Sequence, residues 1–502
     1  MRFLSQRNTI IGTLGLLAAI SLGAYLAASE WILQIGFPLD DAWIHQTYAR
    51  NLGANGAWEF LPSQPSAGST APAWTLMLSF GYWLGLNKYI WTFLLGWLLL
   101  WASAVTAVYG FMKLEPKHAL FGFFAGVAII FEWHLTWAAG SGMETLLAAL
   151  VALIVLLWVI RLSKQSGDLV DAQGWNWFGV GALIGFGVWV RPDGITLLGV
   201  AGLTLLLSKA KFSTKIKEGI WLVAGVLLLT LPYLIFNWVL AGDFWPNTFY
   251  AKQAEYAILR TSPLWQRFLN IIRQPLTGVG IILLPGFFWF GYRKLAEKAW
   301  AEFFSFVWIF GYFLLYALRL PVTYQHGRYV MPVIPAFCLL GIAGMFELMD
   351  VISPRKWGRI VRPAWFLSAI VILFAFWILG LQAYAMDVAV IESEMVNTAK
   401  WVAESTEPDA LVAAHDIGAL GYYGERNLID LAGLISPEVI PFIRDETALE
   451  RYINEQDAEY LVTFPAWYPD LAQRGVIVYQ TNQNYSPAMG GENMTVYRWN
   501  QQ

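Results

Sequence analysis

The amino-acid sequence predicts a polytopic α-helical membrane protein that ends in an extracytoplasmic α/β domain. Of its 502 residues, 57% are hydrophobic and only 13% are charged, whereas soluble domains carry about 25% charged residues. Apolar segments close to the ~20 residues of a membrane span recur along most of the chain, and this pattern ends near residue 386. We therefore expect a transmembrane domain over residues 1–386 and a soluble domain over residues 387–502.

Eleven apolar segments are candidate transmembrane helices. They lie near residues 9–28, 89–112, 119–138, 144–162, 176–190, 194–208, 219–240, 277–292, 302–320, 329–350 and 363–386. The first ends in small residues, Ala27-Ala28-Ser29, that resemble a signal-peptide cleavage site. It is longer than the roughly 7–15 apolar residues of a signal peptide, and further spans follow it. We therefore expect an uncleaved first helix.

Basic residues predict the orientation of these helices, because cytoplasmic loops are enriched in Lys and Arg. With the N-terminus in the cytoplasm, every second loop is basic. The residues concerned are Arg2, Arg7, Lys113, Lys117, Arg161, Lys164, Lys209, Lys211, Lys215, Lys217, Arg293, Lys294, Lys298, Arg355, Lys356, Arg359 and Arg362. An odd number of spans then places residues 387–502 outside, together with a first outer loop at 35–87 and a second at 242–275.

The segment after residue 386 has the pattern of a small α/β domain. Polar helical stretches at Glu392–Ser405 and Glu446–Glu455 alternate with short apolar runs that are typical of strands. These runs are Leu411–Ala414, Asn427–Leu431, Tyr460–Phe464, Val476–Tyr479 and Met494–Trp499. Roughly 110 residues are enough to form an independent hydrophobic core.

The composition also excludes several function classes. A net charge of −3 provides no basic surface for nucleic acid, so the expected partner is the lipid bilayer and what it carries. The single cysteine, Cys338, rules out an intrachain disulfide. The five histidines lack the spacing of a metal motif such as HExxH. Chemistry is therefore expected in the polar loops between the spans.

Two adjacent carboxylates, Asp40 and Asp41, follow the first predicted span. Charges beside a membrane are costly and are commonly retained for function. Neighbouring carboxylates repel each other, which raises a pKa or attracts a cation, as an acid-base or ion site requires. One of them could instead cap the next helix. We favour a catalytic pair, which would also be the candidate ligand set for a divalent cation such as Mg²⁺ or Mn²⁺.

Further polar and aromatic residues fall at the same predicted end of the spans. They are Trp43, His45, Glu144, Arg191, Asp193, Trp245, Asn247, Tyr250, Lys252, His326, Arg328, His415 and Asp416. Each also has a structural explanation, such as the turn chemistry of Arg191-Pro192-Asp193-Gly194, a helix cap or a headgroup anchor. Together they provide carboxylates, cations for an anionic group and aromatic rings for stacking. Sugar transfer from a lipid phosphate meets these demands.

Two other function classes are consistent with a membrane protein of this kind. A transporter or flippase of a lipid-linked glycan would place ionisable residues at mid-membrane, where Glu132 and His134 come nearest. A scaffold or receptor would bind its partner through residues 387–502. The enzyme hypothesis is favoured because the charged residues cluster at the ends of the spans.

Several stretches resemble the GT-C class of integral membrane glycosyltransferases, and within it the bacterial family that contains the terminal arabinofuranosyltransferases of the actinobacterial cell wall. The similar stretches are Leu39-Asp40-Asp41-Ala42-Trp43-Ile44 through Tyr48-Ala49-Arg50-Asn51, Ser141-Gly142-Met143-Glu144-Thr145, Arg191-Pro192-Asp193-Gly194, Gly242-Asp243-Phe244-Trp245-Pro246-Asn247-Thr248-Phe249-Tyr250-Ala251-Lys252, His326-Gly327-Arg328-Tyr329 and Asp416-Ile417-Gly418-Ala419-Leu420-Gly421-Tyr422-Tyr423 with Asp430-Leu431-Ala432-Gly433. They occur in the family's order along nearly the whole chain.

This resemblance implies a polyprenyl-phosphate sugar donor and a glycan or glycolipid acceptor, used on the outer face of the bacterial inner membrane. One of Asp40 and Asp41, with Asp40 preferred, would deprotonate the acceptor hydroxyl, and the other would orient the acceptor or a metal. The donor phosphate would be bound by Arg191, Lys252, His326 and Arg328, and the remaining residues would contact substrate. Trp43 and His45 depart from the family pattern, which leaves the sugar open, whether arabinofuranose or another pentose or hexose.

Overall fold

The computed structural model describes residues 2–165, 173–353 and 358–499. Arg355 and Lys356, which we counted in a predicted cytoplasmic loop, lie outside the described residues. The first part of the chain forms a bundle of helices. These are α1 (Arg2–Ile32), α2 (Asp40–Asn55), α3 (Pro72–Trp83), α4 (Lys88–Leu114), α5 (Gly122–Phe131), α6 (Trp133–Gly140), α7 (Thr145–Gln165), α8 (Gln173–Val190), α9 (Leu197–Leu207), α10 (Phe212–Ala241), α11 (Asn247–Glu255), α12 (Leu264–Leu276), α13 (Gly280–Ala296), α14 (Trp300–Arg319), α15 (Tyr324–Gly327), α16 (Ile334–Ile352) and α17 (Gly358–Ile391).

The predicted spans coincide with helices of this bundle, and the chain is a multi-pass membrane protein. Among the described residues, seven helices are long and apolar enough to cross a membrane. The number rises to nine if the bent pairs α5–α6 (55°) and α12–α13 (108°) each count as one span. The two other predicted spans correspond to α8 and to α9, and α9 has 11 residues, fewer than the ~20 that a span perpendicular to the bilayer requires.

Helices α8 and α10 show how the bundle packs closely. A methyl group at Gly181 of α8 would overlap the carbonyl oxygen of Leu222, and one at Gly225 of α10 would overlap that of Phe178. Small residues let the two backbones approach, which is the usual source of helix association within a membrane.

The segment between α1 and α4 is folded rather than extended. It contains α2, α3 and an antiparallel pair of short strands, β1 (Glu59–Leu61) and β2 (Gln64–Pro65). Helix α2 ends at Gly56, whose φ of 70° is the left-handed conformation that favours glycine. Most residues of α2 are buried, because the helix packs against α3, against β1 and against residues 420–424 of the C-terminal part.

The C-terminal part is the predicted α/β domain. It contains α18 (Asn397–Ser405), α19 (Glu446–Glu455), α20 (Pro469–Ala472), α21 (Tyr485–Ala488), and the strands β3 (Leu411–Ala414), β4 (Asn427–Asp430), β5 (Tyr460–Thr463), β6 (Val476–Gln480) and β7 (Thr495–Arg498). The sheet order is β4-β3-β5-β7-β6. Strands β4, β3 and β5 are parallel, and β7 is antiparallel to both β5 and β6. All five predicted strand segments are therefore strands of one sheet.

The domain has a small core of its own and is also attached to the bundle by a continuous helix. Leu449 and Ile453, one turn apart on α19, pack with Leu461 and Tyr497 of the sheet. Helix α17 passes residue 386 and continues through a π-helical segment, Glu392–Val396, into α18. The predicted boundary between residues 386 and 387 lies inside this helix.

Candidate functional site

Asp40 and Asp41 occupy the first turn of α2, where the helix dipole favours negative charge. The carboxylate of Asp40 accepts hydrogen bonds from the backbone amides of Gly418 (2.7 Å) and Ala419 (2.8 Å) in the C-terminal domain. Burial raises the pKa of Asp40, and the nearby carboxylate of Asp416 raises it further. Asp40 thus holds the C-terminal domain. It does not line the cavity of the helix bundle that is described below.

Asp41 points the other way, into that cavity. Its carboxylate is paired with the guanidinium of Arg328 and lies 3.5 Å from Nζ of Lys252. Burial alone would raise the pKa of Asp41, but the positive charges of Lys252 and Arg328 outweigh it and hold the pKa well below its usual range. We preferred Asp40 as the base, whereas the structure places Asp41 on the cavity.

The cavity has a volume of about 460 Å³ and lies between α2, α11, the end of α14 and the turn at 191–196. A volume of this size is typical of a small-molecule site. Its lining includes the predicted residues Asp41, His45, Glu144, Arg191, Asp193, Trp245, Lys252 and Arg328. Apolar side chains such as Phe249, Leu315 and Leu320 form another part of the wall, so the cavity presents both charged and hydrophobic surface.

Arg328 is directed into the cavity by an unusual turn. Gln325, His326 and Gly327 have φ angles of 53°, 57° and 68°, and left-handed conformations at non-glycine residues are costly and cluster at functional sites. Arg328 is 4% exposed, and within the described chain its Nη1 atom has no hydrogen-bond acceptor. An unpaired buried guanidinium N–H is expensive, and an anionic group in the cavity would satisfy it.

Lys252 is positioned by the anchoring of α11 to the first loop and the C-terminal domain. At the start of α11, the amide N–H of Asn247 donates to Ala67 O (3.1 Å) and its side chain donates to Leu434 O (3.1 Å). Thr248 donates to Gly68 O (2.6 Å). Asn247 therefore supports the helix rather than lining the cavity. Burial opposes the charge of Lys252, but Asp41 raises its pKa.

Arg191 is the centre of a network of polar contacts that forms another wall of the cavity. Its Nη2 donates to Tyr316 (2.6 Å) and to Asp193 (3.2 Å), and its Nη1 lies 3.6 Å from Glu144. Glu144 in turn lies 3.6 Å from Nε2 of His45. Burial alone would raise the pKa of Glu144, but His45 and Arg191 lower it. Arg191 is thus paired with protein groups more fully than Arg328 is.

Like Asp40 and Asn247, three further predicted residues do not line the cavity. His326 pairs with Asp387 of α17 (2.7 Å), and its ring packs against those of Trp133 and Trp137. Trp43 is fully buried in an aromatic cluster beneath the C-terminal domain. Tyr250 belongs to α11 but is not part of the lining either.

His415 and Asp416 follow β3 and lie where the C-terminal domain meets α11. Nδ1 of His415 is 2.7 Å from the hydroxyl of Tyr468, and Nε2 is 3.4 Å from Glu255. Burial opposes protonation of His415, but its hydrogen bond with Glu255 raises the pKa. Both residues are close to the cavity without lining it.

Sequence reasoning missed three residues of these networks. Tyr316 contacts Arg191, the hydroxyl of Tyr329 accepts a hydrogen bond from Arg328 (3.2 Å), and Glu255 contacts His415. Tyr312 and Tyr316 are one turn apart on α14, and both donate to Asp193. Two tyrosines four residues apart in an apolar segment lie on one face of a helix, so the sequence could have indicated a polar contact there. Glu255 lies three residues after Lys252, so the sequence places both near one face of α11.

The carboxylates at the site do not converge on a common point. Asp40 is bonded to backbone amides and Asp41 to two cations. In the described ranges, no group of three or more His, Cys, Asp or Glu residues is arranged to hold a metal ion.

Comparison with protein families matches residues 384–497 to a domain of unknown function (DUF8728). No curated protein matches the chain by sequence. The match begins within α17 and covers nearly the whole C-terminal domain, so it describes the domain and not the bundle.

Solved structures resemble the chain over almost its entire length. ArnT from Cupriavidus metallidurans bound to undecaprenyl phosphate superposes with a TM-score of 0.61 at 16% identity, over 97% of this chain and 98% of ArnT. The Archaeoglobus fulgidus oligosaccharyltransferase has a TM-score of 0.62 at 11% identity, over 91% of this chain and 69% of that one. Arabinofuranosyltransferase AftD from Mycobacteria has a TM-score of 0.51 at 16% identity, over 96% of this chain but 40% of AftD. The resemblance is thus confirmed at the level of architecture, and the chain has the fold of the GT-C membrane glycosyltransferases.

Proposed function

We propose that the protein transfers a sugar from a polyprenyl-phosphate donor to a hydroxyl of a glycan or glycolipid, at the extracytoplasmic face of the bacterial inner membrane. One observation carries the proposal: Asp41, Lys252 and Arg328 meet on a partly apolar cavity at one end of the helix bundle. The carboxylate can act as a base, and the two cations in contact with it can bind a phosphate.

Arg328 and Lys252 bind the donor phosphate. As the bond between the sugar and the phosphate breaks, negative charge accumulates on the phosphate oxygens, and fixed cations stabilise it. Nη1 of Arg328, which has no hydrogen-bond acceptor among the described residues, can donate to a phosphate oxygen. The apolar wall at Leu315 and Leu320 accommodates the first isoprene units. The undecaprenyl phosphate bound to ArnT supports a ligand of this chemical class.

Asp41 is the base. Without donor its charge is neutralised by Arg328 and Lys252, which keeps its proton affinity low. A bound phosphate competes for the same cations, so Asp41 becomes more basic when the donor is in place. The acceptor oxygen then bonds to the anomeric carbon and its proton passes to Asp41. The bond from that carbon to phosphate breaks, and polyprenyl phosphate leaves with the electron pair.

The wall formed by Glu144, Arg191, Asp193 and His45 holds the sugar. Oε2 of Glu144 is buried and faces Nε2 of His45 at 3.6 Å, beyond hydrogen-bond distance, so a sugar hydroxyl is a suitable donor for it. Asp40 acts indirectly: it fixes the C-terminal domain against α2 and thereby positions Asp41. His326 is assigned to the same supporting role, through Asp387.

The transporter alternative is not favoured. The three solved structures compared above are glycosyltransferases. Glu132 and His134, the ionisable residues predicted nearest to mid-membrane, form a hydrogen bond with each other, with Nδ1 of His134 2.7 Å from Oε1 of Glu132. Movement of a labelled lipid-linked sugar across proteoliposomes, without transfer to any acceptor, would restore that alternative.

A transfer assay tests the proposal. Purified protein is incubated with short-chain polyprenyl-phosphate sugars, including a pentofuranosyl and several hexosyl donors, and with octyl glycosides as acceptors. Released lipid phosphate and glycosylated product are both measured. We expect product from at least one donor and little from Asp41→Asn. Equal product formation by parent and Asp41→Asn, both folded by circular dichroism, would refute the mechanism.

A further inference from the structure

We propose that the acceptor's carbohydrate binds where the C-terminal domain meets α11, on an acceptor surface formed by Glu255, His415, Asp416, Arg444 and Trp467. This inference rests on the proposed function, because it assigns the acceptor side of the same reaction. It also gives a role to the domain of unknown function that the family comparison identifies at residues 384–497.

The acceptor surface is continuous with the cavity through α11. Lys252 lies on the cavity beside Asp41, and Glu255, less than one turn later, contacts His415 of the C-terminal domain. Glu255 also accepts, through its backbone oxygen, a hydrogen bond from Arg444 (2.9 Å). A sugar bound here would therefore lie next to the base that must receive its proton.

Asp416 provides an unsatisfied acceptor at the inner edge of this surface. Its Oδ2 atom is buried, yet no group in the described chain donates a hydrogen bond to it. It is close enough to Asp40, Asp41 and Lys252 to interact with their charges. A buried carboxylate oxygen without a partner is costly, and sugar hydroxyls are donors that would remove this cost.

Trp467 provides an apolar platform at the outer edge. Trp467 is 46% exposed although it is large and hydrophobic, so nearly half of its surface is open to a ligand. The ring is supported from the side by those of His415 and Phe464, each with its centroid 5.1 Å away. A fixed, exposed indole face suits the apolar C–H face of a sugar ring.

The combination favours carbohydrate over a peptide. His415 contacts both the carboxylate of Glu255 and the ring of Trp467, and the half-exposed guanidinium of Arg444 lies beside the same carboxylate. Charged groups next to an aromatic ring match the hydroxyl and C–H groups of a sugar. An acceptor peptide would instead engage free backbone donors and acceptors, and the strands nearest the surface, β3 and β5, are paired on both edges.

Binding of defined glycosides to the full-length protein in nanodiscs tests the inference. Octyl glycosides of mannose, glucose, galactose and arabinose are titrated by saturation-transfer NMR in the presence of undecaprenyl phosphate. The variants are Trp467→Ala, Trp467→Phe and Asp416→Asn. The matched control is Ile477→Ala, since Ile477 is 57% exposed on the distant edge strand β6. Undecaprenyl phosphate affinity is measured separately for every variant.

We expect at least one glycoside to bind, and Trp467→Ala and Asp416→Asn to weaken it about tenfold, the effect typical of one lost stacking or charged hydrogen-bond contact. Trp467→Phe should retain most of the affinity, and Ile477→Ala all of it. Unchanged glycoside affinity in Trp467→Ala and Asp416→Asn would overturn the inference, as would binding of peptides but no glycoside. Glycoside binding that depends on Trp467, in a protein that does not bind undecaprenyl phosphate, would support the acceptor surface and refute the proposed donor.

Discussion

Asp40 and Asp41 are adjacent in sequence, yet their carboxylates contact different parts of the molecule. Asp40 accepts the amides of Gly418 and Ala419, whereas Asp41 pairs with Arg328 and Lys252 on the cavity. A methyl group at Gly418 would overlap the carbonyl oxygen of Asp40, so glycine is needed for this close approach. The pair thus joins the domain interface to the proposed reaction centre.

Replacing Asp41 with Asn should separate catalysis from donor binding. Loss of a general base lowers kcat by about 10²–10⁴-fold. Undecaprenyl phosphate should bind at least as tightly as to the parent, because the phosphate no longer competes with a carboxylate for Arg328 and Lys252. Steady-state transfer and lipid-phosphate affinity measure the two effects. A variant that loses both in parallel would contradict the assignment.

Replacing Asp40 with Asn should loosen the C-terminal domain instead. The amide cannot accept both backbone N–H groups, and each unsatisfied buried amide costs about 1–3 kcal/mol. Hydrogen exchange at residues 417–424 should increase and the melting temperature should fall, while the loss of transfer stays smaller than in Asp41→Asn. Unaltered exchange at these residues would show that Asp40 does not hold the domain.

Arg328 and Arg191 should differ in their contribution to donor binding. Arg328→Lys removes the planar fork and the unpaired Nη1, so undecaprenyl phosphate affinity should fall about tenfold or more. Arg191→Lys should weaken this affinity less, because Arg191 is already bonded to Asp193 and Tyr316. Both are measured with the lipid phosphate that carries no sugar. A larger loss of affinity in Arg191→Lys than in Arg328→Lys would show that the phosphate binds at Arg191 instead.

His326→Asn should leave the affinity for undecaprenyl phosphate unchanged. Asn tolerates the left-handed backbone of this position better than most residues do, but it loses the bond to Asp387. We expect the free energy of unfolding to decrease by about 1 kcal/mol, the usual contribution of a single hydrogen bond. A large loss of lipid-phosphate affinity, with stability preserved, would show that His326 binds the phosphate, as the sequence analysis expected.

The pH dependence of acceptor binding, measured without donor, should reflect Asp416 and not Asp41. Burial raises the pKa of Asp416 to about 6, opposed by His415 and Lys252 and reinforced by Asp41 and Glu255. Protonation takes away the negative charge of the acceptor oxygen, so glycoside affinity should fall as the pH decreases from about 8 to about 5, above the ordinary carboxyl range. In the donor-free protein, Lys252 and Arg328 keep Asp41 ionised over this range. Asp416→Asn should have a lower affinity and a flatter profile, and Asp40→Asn, measured in parallel, accounts for Asp40, whose pKa burial also raises.

Transfer should continue in EDTA. Asp40 and Asp41 are occupied by backbone amides and by cations, so a divalent ion would have to displace those partners. The assay is run with EDTA and again with added Mg²⁺ or Mn²⁺. Activity that EDTA abolishes and either ion restores would show that the two carboxylates rearrange around a metal.

Local sequence properties predicted most of the architecture. A helix that crosses the bilayer needs about 20 consecutive, mostly apolar residues, which are visible in the sequence. Each of the eleven candidate segments coincides with a helix. The five strands were visible because their apolar runs are short and separated by polar segments. The exact number of spans was less accessible, because the bends at Glu132 and at 277–279 and the shortness of α9 depend on packing against neighbouring helices.

The gathering of polar residues at one end of the molecule was also predictable, since polar clusters at alternate ends of the spans had to meet. The contacts of each side chain were not. Successive side chains of a helix point about 100° apart, so which of Asp40 and Asp41 reaches the cavity depends on partners that lie hundreds of residues away in sequence. His326 and Arg328 likewise flank one turn and face opposite sides of it. The residue types and their order therefore follow from the chain, while the direction of each side chain follows from long-range contacts that no local pattern contains.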